Sequence, residues 1–326
     1  MIRLSLLLAL FASGSAAFAA QTTATIRLAL LQYGTVSWEI DTLQHHGLDR
    51  KLGVQLAITP VGSPTAALVA LQGGAVDAVV SDWIWVARQR AEGRPWTFVP
   101  YSLTVGSLLV SPTAGIERLQ DLAGKRLGVA GGPVDKSWLL LRAYGRQRLG
   151  QDLAELAEPT YGAPPLLNEL ALRGDLPALV NYWHYAARLE AQGFQPLISM
   201  QQVLEALGVE QPVPLLGWVF DEAWAAANSD TLLAFLRASY QAKRILAESD
   251  EEWQRLRPLT RAEDERTLHA LRDAYRAGIP QRFGEAERAA AAEVLGILVE
   301  VGGSTLVGSA TGVPAGTFWD GFQPGP

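Results

Sequence analysis

The chain has 326 residues, of which 49% are hydrophobic and 18% are charged, and its formal net charge is −6. This length allows about two domains, and the composition is that of a globular protein with ample core material. The mildly acidic charge argues against nucleic acid or an anionic membrane as a partner. The absence of cysteine excludes disulfides, cysteine metal sites, a cysteine nucleophile and a lipid-modified cysteine.

The beginning of the chain has the pattern of a secretory signal peptide. Arg3 supplies the positive start, residues 4–12 form the apolar stretch, and residues 17–19 form an A-x-A cleavage site. A membrane anchor is the alternative, but the apolar run is too short to span a bilayer. We therefore expect a signal peptide over residues 1–19, cleavage near Ala19 and export to the periplasm.

Strand-like and helix-like patterns alternate through the first two thirds of the chain, which predicts the α/β class. The predicted strands cover 25–33, 54–61, 76–81, 97–101, 106–111, 127–130, a segment ending at 162, 178–181, 197–200 and 214–220. The predicted helices cover 35–50, 64–72, 82–92, 134–148, 163–172, 182–192, 203–207, 221–227, 230–247, 262–277 and 284–301. Residues 302–326 are expected to be mostly irregular.

Several helix starts carry recognisable capping residues. Ser63 followed by Pro64 is a typical N-cap and first helical residue, and the run Asn228-Ser229-Asp230 is expected to supply the N-cap of a later helix. Asp82 and Asp135 also lie at helix starts, where a carboxylate is more often a cap than a catalyst.

The strand-like segments near 106–111 and 214–220 bracket the middle of the chain. This arrangement predicts two interleaved lobes, the first over 22–105 and 215–326 and the second over 109–212. Two sequential domains are the alternative, but no Pro/Ser-rich linker separates two halves.

Sequence motifs of catalysis are missing. The chain has no phosphate-binding loop, no dinucleotide fingerprint, no H-E-x-x-H and no G-x-S-x-G. His45 and His46 are adjacent, so on a helix they should point apart and form solvated surface instead of a metal pair. We therefore expect no catalytic residue, no metal and no cofactor.

Polar or aromatic residues recur where predicted strands end, which is where α/β sheets place ligands. One example is the glycine turn 131–133, which follows an apolar strand and precedes a helix whose positive end suits a polar group. A single Trp or Tyr fits a core equally well, but their shared placement at the turns favours ligand walls. The candidate ligand-binding residues are Tyr33, Trp38, Gly62, Ser63, Thr65, Ser81, Asp82, Trp83, Tyr101, Gly132, Lys136, Trp138, Tyr161, Asn181, Trp183 and His184.

Four segments carry a resemblance to a known family: 60–82 (PVGSPTAALVALQGGAVDAVVSD), 121–144 (DLAGKRLGVAGGPVDKSWLLLRAY), 174–194 and 214–246. Together they resemble the substrate-binding proteins of ABC importers, in the nitrate/sulfonate/taurine and thiamine-precursor (NMT1-like) branch. The resemblance implies a type II periplasmic binding protein fold that closes on its ligand by hinge motion. It also implies ligand contacts at most of the candidate residues, with the segment Asn181-Tyr182-Trp183-His184 facing them.

The expected function is capture of a small organic solute and its delivery to an inner-membrane permease by a monomeric protein. Relatives that bind sulfonate or nitrate offer more cationic or hydroxyl donors than this chain, in which Lys136 is the nearby cation and Asp82 could offset it. A sulfonate-like, an aromatic and a pyrimidine-like solute therefore stay open. The alternatives are a pyrimidine-synthase-like enzyme of thiamine biosynthesis, which resembles this branch but uses a cysteine-rich motif, and a periplasmic sensor or chaperone.

Overall fold

The computed structural model describes residues 24–325, so the predicted signal peptide lies outside the described residues. Ten strands form two five-stranded sheets in this part of the chain. The first sheet contains β1 (Ala24–Leu31), β2 (Val54–Val61), β3 (Ala78–Asp82), β4 (Trp96–Ser102) and β10 (Leu216–Asp221). The second contains β5 (Ser107–Val110), β6 (Arg126–Ala130), β7 (Glu158–Gly162), β8 (Ala178–Asn181) and β9 (Gln195–Ser199).

The two sheets have the same topology. Their strand orders are β2-β1-β3-β10-β4 and β7-β6-β8-β5-β9. In each sheet the fourth strand runs antiparallel to both of its neighbours: β10 to β3 and β4, and β5 to β8 and β9. These are the strands that the chain enters directly after crossing from the other sheet. The predicted α/β class with two interleaved lobes is confirmed; lobe 1 denotes the first sheet with its helices and lobe 2 the second.

Helices pack around both sheets. They are α1 (Val36–His45), α2 (Leu48–Lys51), α3 (Pro64–Gln72), α4 (Trp83–Ala91), α5 (Lys136–Leu149), α6 (Leu153–Leu156), α7 (Pro164–Leu172), α8 (Trp183–Ala191), α9 (Met200–Ala206), α10 (Glu222–Ala227), α11 (Ser229–Glu248), α12 (Asp250–Thr260), α13 (Glu265–Ala277) and α14 (Glu285–Val307), with a 3-10 turn at Leu119–Leu122.

Three predicted helix caps are present. Ser63 Oγ accepts a hydrogen bond from the backbone N–H of Ala66 at 3.1 Å, with Pro64 as the first residue of α3. Asp82 and Asp135 cap α4 and α5 through bonds from the third residue after each carboxylate, at 2.8 Å and 3.1 Å.

Asn228 is the N-cap residue of α11, within the predicted run 228–230, but its side chain does not make the expected capping bond. Its side-chain amide donates to the carbonyl of Trp224 at 2.9 Å, in the preceding helix, and makes no capping bond to α11. The amide therefore stabilises the turn between α10 and α11 instead of a helix start.

Other predicted boundaries also differ from the structure. The predicted helix 35–50 is two helices, because Gly47 adopts a left-handed conformation with φ of 62° between α1 and α2. Helix α12 was not predicted, since nearly half of its residues are charged and it contains Pro258. Helix α14 extends beyond the predicted end at residue 301, with a break at Gly303, where φ is 60°.

Helix α14 is long and apolar enough to cross a membrane by length and composition alone. Its buried residues include Val294, Leu295 and Leu298, which lie in one core cluster with Trp83 of lobe 1 and Trp138 of lobe 2. Packing against both lobes therefore accounts for the apolar character of α14.

Candidate functional site

An ion pair joins the two lobes where their strands end. Asp82 is the last residue of β3 in lobe 1, and Lys136 is the first residue of α5, which follows β6 of lobe 2. Lys136 Nζ donates to Asp82 Oδ2 at 2.9 Å, and both side chains are partly exposed. Burial opposes the charge of Lys136, but attraction and hydrogen bonding by Asp82 outweigh it and raise the pKa of the ammonium group. The sequence-predicted residues Asp82 and Lys136 are thus brought together.

Asp135 and Tyr182 extend this polar surface on lobe 2. The Asp135 carboxylate caps α5, and desolvation raises its pKa despite the helix N–H groups. Desolvation, followed by the Asp135 charge, raises the pKa of Tyr182. A Cβ at Gly131 would lie 2.9 Å from both Tyr182 Oη and Asp135 Oδ2, so only glycine lets these groups approach the turn. Asp135 was predicted only as a helix cap, and Tyr182 only as part of the facing segment 181–184.

A second contact between the lobes is aromatic. Trp38 of α1 meets Trp183 of α8 edge to face, with ring centroids 5.9 Å apart. Trp38 also packs against Trp253 at 5.9 Å, and Trp183 lies 6.3 Å from Tyr275. Each of the four side chains is at most 8% exposed. Trp38 and Trp183, both predicted ligand contacts, thus bind the lobes to each other in this conformation.

A buried charge network lies beneath this aromatic cluster in lobe 1. Lys243 and Ser239 of α11 both donate to the Glu39 carboxylate, and Tyr275 Oη donates to Glu39 Oε2 at 2.9 Å. The Lys243 ammonium also lies 3.5 Å from the centre of the Tyr101 ring. Burial lowers the pKa of Lys243, and Glu39 offsets this in part. Among these residues only Tyr101 was a predicted ligand contact, and its ring instead contacts the ammonium group of Lys243.

The remaining predicted contacts divide by exposure. Tyr33 and Tyr161 are 65% and 44% exposed, and the Arg261 guanidinium lies 4.1 Å from the centre of the Tyr33 ring. Exposed or half-buried positions are also found at Gly62, Ser63, Thr65, Ser81 and Gly132. These residues are accessible to a solute at the strand ends.

Other predicted contacts are structural in this conformation. Trp83 and Trp138 are 0% exposed. The Asn181 amide donates to Pro164 and Asn168 and accepts from the N–H of Tyr182, so its polar atoms are occupied. Desolvation lowers the pKa of the half-buried His184 to about 3, which keeps it neutral.

A pocket of about 270 Å³ opens beside the crossing segments. Its wall includes residues 103–107 and 209–213, Glu190 and, among the predicted contacts, Trp183. The pocket lies between α8 and α9 of lobe 2 and α13 of lobe 1, and neither Asp82 nor Lys136 lines it.

His45 and His46 are not simply two solvent-exposed side chains, as the sequence predicts. His46 Nε2 lies 3.2 Å from Oε2 of Glu252, which is buried, and the His45 and His46 rings meet at right angles with centroids 5.1 Å apart. The expectation that the two side chains point apart is wrong, because one ring nitrogen of each lies within 4.8 Å of the same Glu252 carboxylate oxygen.

Comparison with known proteins agrees with this architecture. Residues 44–150 match the family model described as NMT1/THI5 like. The chain carries an NMT1/THI5-like segment. No curated protein matches the chain. The predicted NMT1-like resemblance is therefore confirmed on a segment that contains Asp82 and Lys136.

Solved structures similar to this chain include two sulfonate-binding proteins. The alkanesulfonate-binding protein SsuA from Xanthomonas axonopodis pv. citri, bound to MOPS, has a TM-score of 0.68 and 17% identity, covering 91% of this chain and 98% of its own. The periplasmic aliphatic sulphonate-binding protein SsuA from Escherichia coli has a TM-score of 0.67 and 17% identity, covering 88% and 94%. The likeness confirms the periplasmic binding protein fold.

An enzyme shares this fold as well. The desulfurization enzyme DSZB has a TM-score of 0.57 and 14% identity, covering 87% of this chain and 96% of its own. The architecture therefore accommodates both solute binding and catalysis, and only the site chemistry can discriminate between them.

Proposed function

We propose that this protein is the solute-binding component of an ABC importer and captures a small organic solute between its lobes. The observation that carries the proposal is the Lys136–Asp82 pair, because it holds one polar group of each lobe 2.9 Å apart at the strand ends. Closure of two lobes is how such a fold achieves differential affinity for a ligand. The periplasm as location, an inner-membrane permease as recipient and a monomeric state belong to the same proposal.

The charges around this pair favour a solute that is not a bare anion. Asp82 and Asp135 place two carboxylates beside one ammonium group, Lys136, and these carboxylates already cap α4 and α5. A helix start capped by its own carboxylate is a poor site for a second negative group. We infer a zwitterionic or flat, weakly charged solute that contacts Tyr182 and the exposed predicted residues.

Lys136→Met is expected to weaken solute binding by about tenfold or more, because it removes a charge-assisted hydrogen bond at the interface between the lobes. Native mass spectrometry of protein purified from its host would first identify a retained solute. Titration of tryptophan fluorescence with that solute, or with taurine, an alkanesulfonate, an aromatic acid and an aminopyrimidine, then measures affinity. Lys51→Met, an exposed change in α2, is the control. Equal affinity of both variants would place the site elsewhere.

The second candidate, an enzyme, is favoured by the likeness to DSZB. We expect one-to-one binding without turnover, because the Lys136–Asp82 surface pairs a cation with a carboxylate and presents no nucleophile with its base. Prolonged incubation of the solute with purified protein, followed by NMR of the solution, checks this. Any stoichiometric excess of product over protein would establish catalysis instead.

A further inference from the structure

The ends of two helices bring three metal-ligating side chains together on the surface of lobe 1, away from the strand ends. His45 is the last residue of α1, His46 follows it, and Glu252 lies in the first turn of α12. One nitrogen of each imidazole and one carboxylate oxygen all lie within 4.8 Å of one another. We propose that His45, His46 and Glu252 form a binding site for a divalent transition-metal ion, with Zn²⁺ as the best match.

The donor set supports this assignment. Two imidazoles and one carboxylate form a known zinc ligand set, in which water takes the fourth tetrahedral position. Ligand atoms about 2.0–2.2 Å from a tetrahedral ion are separated by roughly 3.3–3.6 Å. His46 Nε2 and Glu252 Oε2 are 3.2 Å apart, so this edge of the tetrahedron is already formed. His45 is exposed, and one of its ring nitrogens already lies within 4.8 Å of the other two ligand atoms.

The surroundings hold the carboxylate in place. Arg255 donates to both oxygens of Glu252, through Nη2 at 2.7 Å and Nε at 3.1 Å, and also pairs with Asp41 at 2.6 Å. These hydrogen bonds hold the Glu252 carboxylate in one orientation. Hydrogen-bonded ligating carboxylates are usual in metal sites, where such partners fix the orientation of the ligand.

Metal binding would join the end of α1 to the start of α12. Helix α1 also carries Trp38, which contacts lobe 2, and α12 carries Trp253, which packs against Trp38. A bound ion would thus brace the two helices that support the aromatic contact between the lobes. The proposal does not depend on the identity of the solute or on transport.

The test is calorimetric titration of the full, untagged chain with ZnCl₂ at neutral pH, together with its melting temperature in the presence and absence of the ion. We expect one ion per chain and a rise in Tm. His45→Ala and His46→Ala should each weaken binding by about tenfold or more, in line with the loss of a ligand. Circular dichroism would verify that both variants are folded.

The chain provides a matched control in His269, an exposed histidine with its own carboxylate, Glu265, at 3.7 Å. His269→Ala should bind Zn²⁺ like the unmodified protein, because that pair lacks the second imidazole. The proposal is overturned if the unmodified protein binds no Zn²⁺, if the His45→Ala/His46→Ala double variant keeps full affinity, or if His269→Ala alone abolishes binding.

Discussion

Lys243→Met is expected to lower the free energy of unfolding by about 3–5 kcal/mol, which is the usual cost of breaking a buried ion pair by removing one partner. Glu39 is 0% and Lys243 is 2% exposed, so the carboxylate cannot exchange its lost partner for solvent. Methionine has nearly the length of lysine and keeps most of its packing against the Tyr101 ring. The expected loss therefore reports the uncompensated charge of Glu39 and not a cavity.

Urea unfolding, monitored by circular dichroism, measures this loss. An unchanged slope m shows that the variant changed stability and not the surface exposed on unfolding. The double variant Glu39→Gln/Lys243→Met should regain much of the stability, because its neutral amide can accept from Tyr275 through its oxygen and donate to the Ser239 hydroxyl through its NH2 group. Lys51→Met, which alters an exposed lysine, should stay within about 0.5 kcal/mol of the unmodified protein. A loss below about 1 kcal/mol in Lys243→Met would contradict a stabilising buried pair.

This network could not have been predicted from the sequence. Glu39 and Lys243 are 204 residues apart, on helices contributed by the first and last thirds of the chain. Each lies on a helix with other polar residues, and nothing local distinguishes a buried charge from a solvated one. Their pairing follows from how α11 packs on α1, which is a property of the tertiary fold.

Local signals, in contrast, were sufficient for the alternation of strands and helices and for three helix starts. Ser63, Asp82 and Asp135 cap their helices because a short acceptor at that position reaches a backbone N–H two or three residues later. The same signal failed at Asn228, where a helix end immediately upstream competes for the side-chain amide. The Asp82–Lys136 contact was predictable only through the family resemblance, which placed both residues at facing strand ends.

The sequence also did not predict which aromatic residues lie in the core and which lie on the surface. Tyr182 and Trp183 are neighbours in one motif, yet Tyr182 is 40% exposed and Trp183 is 8% exposed. Tyr182 is the N-cap of α8, whereas Trp183 begins the helix on the face that meets lobe 1. A shift of one residue at a helix start turns the side chain by about 100°. Placement at a strand end therefore does not determine whether a ring faces solute or core.

Trp83→Ala is expected to lower the free energy of unfolding by about 3–5 kcal/mol, the usual cost of truncating a large buried ring. The sequence predicted a ligand contact here, but Trp83 is 0% exposed and packs against Phe318 with centroids 5.8 Å apart. Trp83→Phe should cost less than about 1.5 kcal/mol, since it keeps much of the packing. Phenylalanine also removes an indole N–H that has no hydrogen-bond acceptor among residues 24–325.

The denaturant midpoint and the solute affinity should be measured together on both variants and on Tyr161→Ala, whose ring is 44% exposed. Tyr161→Ala should leave stability within about 0.5 kcal/mol, because its ring contributes little to a core. If Trp83→Ala instead keeps its stability and loses solute binding, then Trp83 is a wall of the binding site and opens to solvent in another arrangement of the lobes. If Trp83→Ala loses much stability while Trp83→Phe keeps its solute affinity, the ring belongs to the core. A residue in the wall of the binding site would change the solute affinity when its ring is changed, whereas a packing residue would not.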